Sequence, residues 1–62
     1  MIAANKRVLV MVKIAEANYG REIGGELMHG YHGNEMEAVE IKTPSGRKTV
    51  IPPHSIIYVS EV

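Results

Sequence analysis

The sequence predicts a single all-β domain, a small, strongly bent five-stranded barrel, and three observations lead to it. Lys6 to Ile14 reads KRVLVMVKI, with Val8, Val10, Val12 and Ile14 in a period of two and β-branched residues dominating. Gly24, Gly25 and Gly30 interrupt the next apolar stretch, as expected of a strand that must curl. Pro52-Pro53 then breaks the chain before a last apolar run. With 62 residues there is one core and no room for a second. Residues 1–62 are thus one domain, with 1–5 a flexible or edge segment.

The elements follow in order. The first strand is Lys6 to Ile14, and Leu9 and Met11 make its other face apolar near the start. Ala15 to Gly20 is too short for a helix and ends in turn chemistry, so it is expected as a loop carrying Tyr19. A second strand is centred on Ile23, Leu27 and Tyr31, and His32-Gly33-Asn34 forms the next turn. Met36 to Lys42 alternates again, with Val39 and Ile41 inward and Glu40 and Lys42 outward. Thr43-Pro44-Ser45-Gly46-Arg47 suits a tight reverse turn, so Lys48 to Ile51 pairs back as a hairpin. Pro52 to Ser55 is expected as one 3₁₀ turn, and Ile56 to Val62 as the fifth strand.

Composition narrows the function. Lys plus Arg and Asp plus Glu each number seven, so no net field draws the chain to nucleic acid or an anionic membrane. Local charge is uneven: five glutamates and no Lys or Arg fall between Glu22 and Glu40, whereas Lys42, Arg47 and Lys48 follow without an acid among them. An acidic side and a basic tip are expected. There is no cysteine, which removes disulfides and thiolate metal sites. No apolar run approaches the roughly 20 residues that span a bilayer, and the first residues lack signal-peptide character. A cytoplasmic protein without a membrane partner is the expectation.

Gly20 to Tyr31, GREIGGELMHGY, resembles the second strand of Sm-like proteins, in which a charged residue, a bend glycine, a leucine and a Gly-aromatic pair recur in that order. Ile51 to Val59, IPPHSIIYV, resembles the family's second signature, an apolar residue and tight turn leading into an apolar closing strand. The resemblance implies a ring assembled by pairing the fourth strand of one copy with the fifth of the next, and single-stranded RNA bound around its pore. The family's pocket carries Asp and Asn after the Gly-aromatic pair and Arg-Gly before the last strand. Here His32 takes the first position, the second falls on Glu35 to Glu37 or a shifted Asn34, and Pro52-Pro53 replaces Arg-Gly; of the Lys-His pair of the family's bacterial riboregulator branch, His54 corresponds to the histidine and Pro53 stands in place of the lysine. A Pro-Pro turn into a last strand is also compatible with Src-homology-3-like (SH3-like) barrels.

Candidate nucleic-acid contacts follow from residue chemistry. Tyr19, Tyr31, Asn34 and His54 are flat or amide side chains able to stack on or read an unpaired base, and His32 stands beside them in the turn. A strand tyrosine such as Tyr31 or Tyr58 serves equally as a half-buried wall. Lys42, Arg47 and Lys48 form a basic hairpin suited to phosphate, or simply a solvated one. His29 and His32 lack a defined third ligand, and His54 beside Ser55 lacks a third partner, so neither metal binding nor catalysis is expected and no cofactor is assigned. Ile56-Ile57-Tyr58-Val59 is apolar on both faces, which points to a homo-oligomer through the last two strands. The sequence reading is therefore a non-enzymatic module that oligomerises and binds single-stranded RNA or nucleotides. The alternative is an SH3-like protein-interaction module or a small phage or accessory regulator.

Overall fold

Period-two apolar patterning becomes an antiparallel sheet. The computed structural model describes residues 1–14 and 20–62. Its strands are β1 (Arg7–Lys13), β2 (Gly20–Leu27), β3 (Val39–Lys42), β4 (Lys48–Ile51) and β5 (Ile56–Glu61), with one 3₁₀ turn at Pro53–Ser55. They form one five-stranded sheet in the order β4-β3-β2-β1-β5, with every pairing antiparallel. β4 and β5 are its two edges and do not pair with each other, so the sheet is open. Of the loop expected from Ala15 to Gly20, residues 15–19 lie outside the described residues, and Gly20 belongs instead to β2.

Burial follows register. Val8 and Val10 of β1, Leu27 of β2, Val39 and Ile41 of β3 and Ile51 of β4 are the buried core, and Ile23, Val12, Ile56 and Val59 pack against it. Val10 stands opposite Ile23 on one side and Val59 on the other, which places one residue from each of three strands on the inner face. The inward assignment of Val39 and Ile41 holds. Ile14, expected on the same face as Val8, lies beyond the end of β1 and is 39% exposed. Leu9, on the outer face, is also partly exposed.

The second strand is shorter than its apolar pattern and carries no bulge. Its register with β1 runs without a break from Arg7 opposite Glu26 to Lys13 opposite Gly20. The irregularity falls instead between β1 and β5, where Met11 faces Tyr58 and Val12 faces Ile56, leaving Ile57 as the extra residue. Gly25 acts through close approach: a Cβ there would stand 2.9 Å from the Lys42 carbonyl oxygen and 3.1 Å from Ile41. Beyond β2 the N-terminal segment runs alongside the chain, with Ile2 and Tyr31 exchanging two backbone hydrogen bonds of 2.8 Å.

Proline and glycine set the two turns that follow. Gly46 adopts φ +87°, its N–H donates to the Thr43 carbonyl at 2.8 Å, and the Thr43 N–H donates to Arg47 at 2.9 Å. This is a three-residue hairpin with Pro44 at the position that favours its fixed φ and glycine at the left-handed one. In the 3₁₀ turn the Ser55 N–H donates to Pro52 at 3.0 Å, and neither proline has to contribute a donor.

Candidate nucleic-acid interface

The loop between β2 and β3 is built around one carboxylate. Glu37 Oε1 accepts the backbone N–H groups of His32 at 2.8 Å, Gly33 at 3.0 Å and Asn34 at 3.4 Å. Gly33 sits at φ +84°, which turns successive N–H groups toward a common centre, a concavity suited to an anion. Partial desolvation raises the Glu37 pKa, but the hydrogen bonds from His32, Asn34 and Gly33 and the nearby His32 imidazole outweigh it and hold the carboxyl below its usual range. The Glu37 N–H also donates to the Asn34 carbonyl at 3.1 Å. This closed loop explains why β3 begins at Val39 and not at Met36.

The braced loop meets the 3₁₀ turn and the end of β1 around a cleft of about 340 Å³. Tyr31, Asn34 and His54 all line it, together with Lys13, Glu35 and Ile57. Three of the side chains singled out in the sequence thus come together from two segments, the β2–β3 connection and the 3₁₀ turn. His32 is exposed beside the cleft and does not line it, and Tyr19 lies outside the described residues. Lys13 was not anticipated as a site residue; its position as the outermost residue of β1 was the available signal.

Lys42, Arg47 and Lys48 do not join this cleft. They occupy the hairpin end of β3 and β4, where Lys42 stands opposite Lys48, while the Tyr31 cleft lies at the other end, where Val39 stands opposite Ile51. The length of β3, roughly 10 Å, separates the two ends. The basic tip gains a partner that the sequence reading missed: register aligns Arg7 with Glu26, and Glu26 with Lys42. Lys48, Lys42, Glu26 and Arg7 therefore form one row across four strands.

The five glutamates do not make a single acidic side either. Glu26 lies within that cationic row, Glu22 stands opposite Met11, Glu35 and Glu37 belong to the loop, and Glu40 Oε2 lies 3.2 Å from His29 Nε2. Among the described residues, no three His, Cys, Asp or Glu side chains gather as a metal site would require. No helix among them is long and apolar enough to cross a membrane. Compared with models of protein families, with curated proteins and with solved structures, the chain matches none.

Proposed function

We propose that the chain is a non-enzymatic, Sm-like small-barrel module that self-associates and binds single-stranded RNA or nucleotides. The observation that carries the reading is the convergence of Tyr31, Asn34 and His54 on one cleft. Rings of Tyr and His offer stacking faces, and the Asn34 amide offers a donor and an acceptor for a base edge. Glu35 and Glu37 outnumber Lys13 in its lining, which leaves this cleft without a net positive field. The cleft is accordingly a base pocket: its carboxylates accept from exocyclic amines, and phosphate contacts fall to Lys13 and to the hairpin. Self-association is supported by two sheet edges, β4 and β5, each with one neighbour in the sheet. Strand addition at such edges satisfies their outward backbone groups.

A second reading is supported by the exposed apolar side chains of β4 and β5. Val50, Ile57 and Tyr58 are all exposed, and the chain carries no net charge, which suits an SH3-like module that docks a protein partner. Fluorescence anisotropy with short labelled oligo-U and oligo-A separates the two. The RNA reading expects saturable binding that weakens roughly fivefold or more in His54→Ala or Asn34→Ala, the scale of one lost base contact. Binding that is absent, or indifferent to both substitutions, rejects it in favour of the protein partner.

A further inference from the structure

We infer that the outer face of the sheet carries a docking cleft for the Glu35-Met36 knob of a second copy of this chain. The cleft, about 900 Å³, lies between the β3–β4 hairpin and the paired strands β1 and β2. Its apolar lining comes from Leu9, Gly24, Pro44 and Val62, and its charged lining is Arg7, Glu26 and Lys42, two cations and one carboxylate. Glu26 lies between those two cations in the register and lines the same cleft. Two cations against one carboxylate leave a net positive charge there to offer a partner.

The knob is the complement in apolar character and sign. Met36 is 87% exposed, with Glu35 exposed beside it. A methionine is a flexible, polarizable side chain that fills irregular apolar surfaces well. The loop presenting it is already held by the three N–H contacts to Glu37, so docking requires little further ordering of its backbone. Met36 enters over Leu9 and Gly24 while Glu35 meets Arg7 and Lys42.

Knob and cleft lie at opposite ends of β3, so one copy does not satisfy itself and the contact runs head to tail between copies. The inference rests on the self-association part of the reading above and adds a surface to it; because Glu35 also lines the Tyr31 cleft, docking and base binding share that side chain. It also supplies burial to a chain whose core, among the described residues, is six side chains.

The chain has no cysteine, so introduced pairs report cleanly. Full-length Met36→Cys is mixed with full-length Ser45→Cys and oxidised with diamide, with Ala38→Cys, on the knob's own side of the fold, as the control partner. The mixed Met36–Ser45 product should dominate over symmetric dimers and over the Ala38 control, and the double variant Met36→Cys/Ser45→Cys should give a ladder of covalent oligomers. In parallel, sedimentation velocity should show Met36→Ser weakening self-association at least about tenfold, as expected for a lost methionine contact. Lys42→Glu and Glu35→Lys should each weaken it, and the two together should recover it.

If the parent chain self-associates but the mixed product is no more abundant than the control, and Met36→Ser associates like the parent, this contact is overturned while edge pairing stands. A parent that stays monomeric across the concentration range overturns both.

Discussion

The Glu37 carboxylate lies 3.0 Å from the Gly33 N–H, with the His32 and Asn34 N–H groups converging on the same oxygen. One side chain thus closes the loop that positions Asn34 at the cleft and presents Met36 to solvent. Glu37→Ala should free three backbone donors and loosen residues 32–36. Amide hydrogen exchange would register faster exchange there, with the core strands unchanged.

The same contact gives a pH dependence with a defined sign. Because the Glu37 carboxyl is held below its ordinary value of 4.5, its contribution to stability is fully present above 4.5. It is lost as pH falls through the lower folded value. A pH titration of loop amide exchange should show this loss in the parent chain. In Glu37→Gln the loop should have no such acid transition.

Gly24 and Gly25 are neighbours with opposite tolerances. A Cβ at Gly24 would meet the flexible end of Leu9 at 3.4 Å, whereas one at Gly25 would stand 2.9 Å from a backbone oxygen on β3. Gly25→Ala should therefore destabilise the fold by about 1–3 kcal/mol, the usual cost of forced overpacking. Gly24→Ala should stay within about 0.5 kcal/mol of the parent or gain slightly. Urea denaturation of both variants makes the comparison.

The two clusters of nucleic-acid candidates should behave differently. Arg47→Ala and Lys48→Ala remove charge at the hairpin, so they should weaken oligonucleotide binding about equally for every sequence and flatten its salt dependence. Asn34→Ala and His54→Ala should alter the preference between oligo-U and oligo-A and leave the salt slope nearly unchanged. Anisotropy titrations at two or more salt concentrations distinguish these patterns.

Local structure was legible in the sequence because its signals are local. The alternation of Val39 and Ile41, the Thr43 to Arg47 hairpin and the Pro52 to Ser55 break each lie within a few residues and match the observed elements. What depended on register was not legible. Nothing near Arg7 announces that β2 will align it with Glu26 and, beyond it, Lys42. Nor does the local pattern around Ile57 reveal that the irregularity belongs to the β1–β5 pairing and not to the glycines of β2. The site was half legible for the same reason: residue chemistry identified Tyr31, Asn34 and His54, but one list could not show that Lys42, Arg47 and Lys48 belong at the other end of β3.

Native mass spectrometry of the purified chain, with and without short oligo-U and oligo-A, tests the central claim most directly. The account predicts a self-associated species that takes up oligonucleotide, with uptake reduced by His54→Ala. A chain that remains monomeric and carries no oligonucleotide at any concentration would contradict it.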